Sequence, residues 1–116
     1  MAHALNFVIL HVRDIATARD FYKETLGLGL EGESPAFVQF QAASGATFAL
    51  QKDEQPALTA NIELWWEVAD VDTEHAALVK RGVEMVSGPQ DQPFGRTLTF
   101  KDPEGNLVNL YRLKQA

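Results

Sequence analysis

Val12-Arg13-Asp14-Ile15 opens a segment that closes at Leu26-Gly27, and Val68-Ala69-Asp70-Val71 opens a second, 56 residues later, that closes at Arg81-Gly82. Each segment is followed by a shorter echo, Gly45-Ala46-Thr47-Phe48-Ala49-Leu50 and then Gly105-Asn106-Leu107-Val108-Asn109-Leu110, 60 residues apart. Two copies at so long a period do not make a solenoid. They imply one domain, residues 1–116, built from two similar modules at about 5–52 and 62–113, with a ligand site between them.

Asp14 and Asp70 read as helix N-caps, because a short carboxylate accepts from the free N–H groups of a first turn. Behind Asp14, the residues Ile15, Ala18, Phe21, Tyr22 and Leu26 recur at helical spacing. Gly27 and Gly82 are natural helix stops. Leu5–Val12 is apolar and β-branched and predicts a buried strand. Further strands are expected at about 28–32, 35–42 and 47–52, then at 62–68, 83–86, 96–101 and 107–113. The stretch Asp53–Asn61 is polar, contains Pro56 and reads as the linker. Ser87–Gly95, with two prolines, reads as a long loop whose Phe94 serves as a flap or an anchor. Asp102-Pro103-Glu104-Gly105-Asn106 is a turn rather than a catalytic motif. The order is β-α-β-β-β, twice, which defines an α+β class.

Strand alternation sorts the side chains by face. Val8, Leu10 and Val12 share the core side of the first strand, while Phe7, Ile9 and His11 share the other. Trp66 belongs with the helix side of its strand, and Glu63, Trp65 and Glu67 lie opposite. Asn109 and Tyr111 share a face of the last strand. This second face mixes aromatics with carboxylates, an amide and a histidine. It points to a curved sheet with a ligand-facing concavity and helices on the outer side.

Composition narrows the function. Hydrophobic residues make up 46% and charged residues 22%, which is ordinary for a globular domain. The net charge of −6 argues against nucleic acid, whose phosphates need Lys and Arg. It is compatible with a cationic ligand. The absence of cysteine excludes disulfides, thiolate ligands and a Cys nucleophile. The start Met1-Ala2-His3-Ala4-Leu5 has no signal-peptide pattern and no stretch matches a membrane span, so the cytoplasm is expected.

Taken in order, Val12-Arg13-Asp14-Ile15 with Phe21-Tyr22 and Leu26-Gly27, Val68-Ala69-Asp70-Val71 with Lys80-Arg81-Gly82-Val83, and Phe100-Lys101-Asp102-Pro103-Glu104-Gly105-Asn106-Leu107 resemble the vicinal oxygen chelate superfamily. This is the glyoxalase, bleomycin-resistance and extradiol-dioxygenase group. The resemblance covers essentially the whole chain. It implies paired βαβββ modules forming a half-barrel, in a homodimer. Its metal-dependent members carry one ligand on each of four strands. The corresponding positions here are Phe7, Ala49, Glu63 and Asn109. A phenyl ring and a methyl group donate nothing to a metal, and one carboxylate with one amide falls short of three converging donors. His11 lies about 13 Å along its strand from Phe7 and does not fill the same coordination site.

The resulting expectation is a metal-free binding protein of the bleomycin-resistance kind, with no cofactor and no catalytic residue. It would sequester an antibiotic or related metabolite, aromatic or cationic, in a cavity of a homodimer. Phe7, His11, Glu63, Trp65, Glu67, Phe94, Asn109 and Tyr111 are the expected ligand-binding residues. The alternative is a metal-dependent lyase, isomerase or dioxygenase-like enzyme with a rearranged site, in which Glu63, Glu67 and His11 converge with help from a second subunit.

Overall fold

The computed structural model describes residues 5–57 and 62–115. Readings that rest on Met1–Ala4 or on the last residues of the linker, 58–61, lie outside these. The chain divides into two compact units, on either side of the boundary between Ala57 and Leu58.

The first unit contains β1 (Phe7–Val12), α1 (Ile15–Asp20), β2 (Leu30–Ser34), β3 (Phe37–Phe40) and β4 (Thr47–Lys52). Its sheet has the order β1-β4-β3-β2. β1 runs parallel to β4, while β2, β3 and β4 form an antiparallel meander. Asp14 caps α1 by accepting from Thr17 N at 3.1 Å. The helix then widens into a π turn over Phe21–Thr25, where a single α-helix was expected. In that turn Leu26 N donates to Phe21 O, and Leu28 N reaches back to Tyr22 O. The wider turn accompanies the fully buried Tyr22, whose ring packs 5.0 Å from Phe48 and 6.4 Å from Phe40. Leu10, Val12, Val38 and Leu50 complete this core.

The second unit repeats the plan with β5 (Trp65–Glu67), α2 (Val71–Lys80), β6 (Glu84–Gln92), β7 (Gly95–Lys101) and β8 (Leu107–Leu113). Its sheet order is β5-β8-β7-β6, with β5 parallel to β8. Asp70 caps α2 through Asp72 N and Thr73 N. Gly82 closes it at φ +74°, matching Gly27 at φ +74° in the first unit. Val71, Leu78, Leu98, Phe100, Val108 and Leu110 form the core between helix and sheet. The α+β class and the doubled β-α-β-β-β order are therefore as expected. Among the described residues no helix is long and apolar enough to cross a membrane.

Two further segments differ from the sequence reading. β5 is only three residues long, because its ladder to β8 runs from Trp65↔Asn109 to Glu67↔Tyr111. The stretch Ser87–Gln92 is strand rather than loop. β6 is an edge strand, so the N–H that Pro89 lacks can lie on the unpaired side. Register shifts between Met85 and Ser87, and between Ser87 and Gln90, absorb Gly88-Pro89 as bulges. The flap collapses to a tight hairpin tip, Pro93-Phe94, between the paired Gln92 and Gly95.

Arg96 on β7 ties the second unit together from its helix side. Its Nε and Nη2 grip Asp72 of α2 at 2.9 and 3.0 Å, and its Nη1 meets Asp91 of β6 at 2.9 Å. The Arg96 hydrogen bond holds the Asp72 carboxyl below the usual range. The Thr17 N–H does the same for Asp14. For Asp53 the Gln55 N–H acts first and His11 second. In each case the folded pKa lies below the unfolded one. The stability these groups contribute is thus present above the unfolded value, near pH 4, and is lost as pH falls through the folded values. The urea midpoint is expected to hold between about pH 7 and 5 and to fall steadily below about pH 4. Arg96→Gln should flatten that acid limb, and a midpoint indifferent to acid would refute the assignment.

Candidate functional site

Six of the eight expected residues fall in the second unit. Trp65 and Glu67 of β5 pair with Asn109 and Tyr111 of β8, and these pair onward with Thr99 and Thr97 of β7. Paired residues share a face, so Trp65, Glu67, Asn109, Tyr111, Thr97 and Thr99 stand on the side of the sheet away from α2. Asn109 is buried and works as a strand clamp. Its Oδ1 accepts from Thr99 Oγ1 at 2.7 Å, and its Nδ2 donates to Leu64 O at 3.0 Å. Its backbone N–H also donates to Leu64 O. This clamp joins the short β5 to the rest of the sheet at the register that sets Trp65.

Trp65 is 40% exposed. Its indole Nε1 donates to Glu63 Oε1 at 2.9 Å. The rings of Tyr111 and Phe94 stand edge-on to it, with centroids at 6.0 and 6.2 Å and interplanar angles of 75° and 77°. Edge-to-face packing is the favoured aromatic geometry. Glu63, Trp65, Tyr111 and Phe94 are therefore one contiguous group, and the tight hairpin tip is what brings Phe94 into it. Glu67 lies 3.9 Å from Arg112 Nη1, a loose exposed pair. Trp66 faces the helix side and is half-buried.

Phe7 and His11 lie in the first unit, on the face of β1 away from α1, where Phe7 is 42% exposed. His11 Nδ1 lies 3.0 Å from Asp53 Oδ2. Asp53 Oδ1 accepts from Gln55 N, so the carboxylate is fixed from both sides. The sequence reading did not pair His11 with Asp53, which lies 42 residues away across the β1–β4 ladder.

The residues present do not fit the divalent metal that this fold can carry. Phe7 has no donor atom, and Ala49 is buried and offers a methyl group. Glu63 is engaged by Trp65, and the Asn109 amide by Thr99 and Leu64. One carboxylate and one amide do not make a transition-metal donor set. Among the described residues no three His, Cys, Asp or Glu side chains are grouped to hold a metal ion.

Two surface clefts lie outside the aromatic group. One of about 230 Å³ is lined by Glu31, Glu33, Ser34, Phe37 and Gln39 at the β2–β3 hairpin. Another of about 370 Å³ lies where Asp91, Gln92, Arg96, Arg112, Leu113 and Lys114 meet. Sequence reasoning passed over the second. Its signal was present in Arg112-Leu113-Lys114, an alternation that sends two cations to one face of a strand.

The chain belongs to the Glyoxalase/Bleomycin resistance protein/Dioxygenase superfamily, whose family profile matches residues 4–110. Among solved structures it is similar to a glyoxalase/bleomycin resistance protein from Streptomyces sp. CB03234, with 29% identity and a TM-score of 0.77 over 94% of this chain and 100% of that one. It is also similar to TnmS3, an antibiotic binding protein from the same Streptomyces, with 27% identity and a TM-score of 0.77 over 98% of both chains. Lactoylglutathione lyase from Agrobacterium tumefaciens shares the fold at 17% identity and a TM-score of 0.79, over 97% of this chain and 95% of that one. No curated protein matches the chain in sequence.

Proposed function

We propose that this chain is a metal-free small-molecule binding protein. It captures an aromatic or cationic metabolite, such as an antibiotic, with its two modules acting as one domain in a homodimer in the cytoplasm. The observation that carries this reading is the setting of Trp65, whose half-exposed ring is fixed by Glu63 through Nε1 and flanked edge-on by Phe94 and Tyr111. A rigid indole offers flat apolar area at little entropic cost, which is what a ligand-stacking residue needs. Glu63 and Glu67 supply negative charge beside it for a ligand amine or N–H. Phe7 and His11 are the remaining contacts in this reading, while Asn109, expected among them from sequence, has its amide taken up by Thr99 and Leu64 and serves by clamping β5. Support also comes from the antibiotic-binding activity named for TnmS3 and from the donor-poor metal positions.

The test is calorimetric titration of EDTA-treated protein with metal-free bleomycin, which has both an aromatic and a cationic part. Saturable binding without metal is expected. Trp65→Ala should weaken it at least about tenfold, and Trp65→Phe by less. Unchanged affinity in Trp65→Ala removes that residue from the site. Retention of one metal per chain after desalting, lost in Glu63→Ala, would overturn the metal-free reading. Sedimentation at micromolar concentration checks the dimer.

A further inference from the structure

We propose that the cleft at the open end of β7 and β8 is a second binding site, for the oxyanion of a small organic acid, carboxylate or phosphate monoester. It uses Arg112 and Lys114 and does not rest on the function proposed above.

The arrangement runs against what the fold alone would favour. Arg96 and Arg112 are directly opposite in the β7–β8 ladder. Like charges at opposed positions destabilise a sheet. Arg96 has a structural reason to be there, since Asp72 and Asp91 take its hydrogen bonds. Arg112 has none of that kind. Its ion-pair partner Glu67 is 3.9 Å away, beyond hydrogen-bond reach. Lys114, two residues on and on the same face, makes no side-chain hydrogen bond or ion pair among the described residues. Asp91 also lines the cleft, but its carboxylate is taken up by Arg96 at 2.9 Å, so Arg112 and Lys114 are the two cations left to face a ligand.

The chemistry fits an oxyanion. A guanidinium presents parallel N–H donors that match a carboxylate or phosphate edge, and an ammonium adds a point charge. The volume, about 370 Å³, is that of a small-ligand pocket. Leu113, 51% exposed, gives the cleft an apolar wall, and Gln92 adds an amide. The ligand is accordingly an acid with a short apolar body rather than a bare ion.

The full chain would be titrated at fixed ionic strength with benzoate, phenyl phosphate and neutral benzamide, and followed by amide NMR shifts. The two anions should give saturable shifts at Gln92, Gly95 and Arg112–Lys114, and benzamide none. The tighter of the two anions assigns the head group. Arg112→Gln and Lys114→Gln should each weaken binding at least about tenfold, with Arg112→Lys in between. Trp65→Ala should leave these shifts intact, which separates the cleft from the aromatic face. Because Arg112 adds repulsion to the empty fold, Arg112→Gln should keep or raise the melting temperature. Shifts that do not saturate, that benzamide reproduces, or that survive both Gln variants would overturn the proposal.

Discussion

Replacing Gly95 with alanine is expected to lower the stability of the second module by at least about 2–3 kcal/mol. A Cβ at this position would lie 3.0 Å from the carbonyl carbon of Arg112 and from Leu113 Cα, and closer still to the Arg112 carbonyl oxygen. All three are backbone atoms of the facing strand, so no rotamer change relieves the clash. Either β7 or β8 must move, and the Gly95↔Leu113 pair that ends their ladder is the first to open. The consequence reaches function. Gly95 follows Phe94 at the hairpin tip, and Lys114 N donates to Phe94 O at 2.9 Å across the same end. Loss of this register displaces Phe94 from Trp65 and distorts the cationic cleft. Gly32→Ala is the matched control, since a Cβ there meets nothing within 4 Å and the backbone is not left-handed. Urea midpoints should fall sharply for Gly95→Ala and hardly at all for Gly32→Ala. Equal midpoints would sink the argument.

The second large effect is expected at Asp102, in the turn between β7 and β8. The residue is 5% exposed, and both of its carboxylate oxygens accept hydrogen bonds from the turn. Oδ1 accepts from the N–H groups of Glu104 and Asn106 at 2.9 Å, and Oδ2 accepts from Asn106 Nδ2 at 3.1 Å. Asn106 is itself 4% exposed, so no water replaces a lost partner easily. Asp102→Ala strands these donors, at a cost of about 3 kcal/mol. Asp102→Asn keeps one acceptor oxygen for the backbone and should cost clearly less. Hydrogen exchange reads the mechanism directly: the Glu104 and Asn106 amides should lose protection in the Ala variant. Protection that persists would show the turn is held by other means. This turn sets the β7–β8 register, and with it the Thr99–Asn109 clamp behind Trp65.

How far the site was legible in sequence depends on the range of the interaction. Asp14, Gly27, Asp70 and Gly82 could be read because caps and left-handed glycines act within one turn of helix. The facing of Trp65 against Trp66 followed from the two-residue period of a strand. Ser87–Gln92 could not be read correctly. Gly88-Pro89 looks like loop unless it is known that the strand holding it is an edge, and edge position belongs to the sheet rather than to the segment. His11 with Asp53 and Arg96 with Asp72 were invisible for a related reason. Each pair depends on which strands and helices become neighbours.

By itself the sequence determined the doubled β-α-β-β-β plan and the helix ends, because these reside in local periodicity and side-chain identity. The tertiary structure alone decided that Glu63 would hold the Trp65 indole and that Phe94 would stand beside it on a tight hairpin tip. It also decided that Asn109 would be spent on clamping β5, and that Arg112 would face Arg96 across a cleft. Those outcomes follow from strand register. A shift of one residue would turn every one of these side chains to the opposite face.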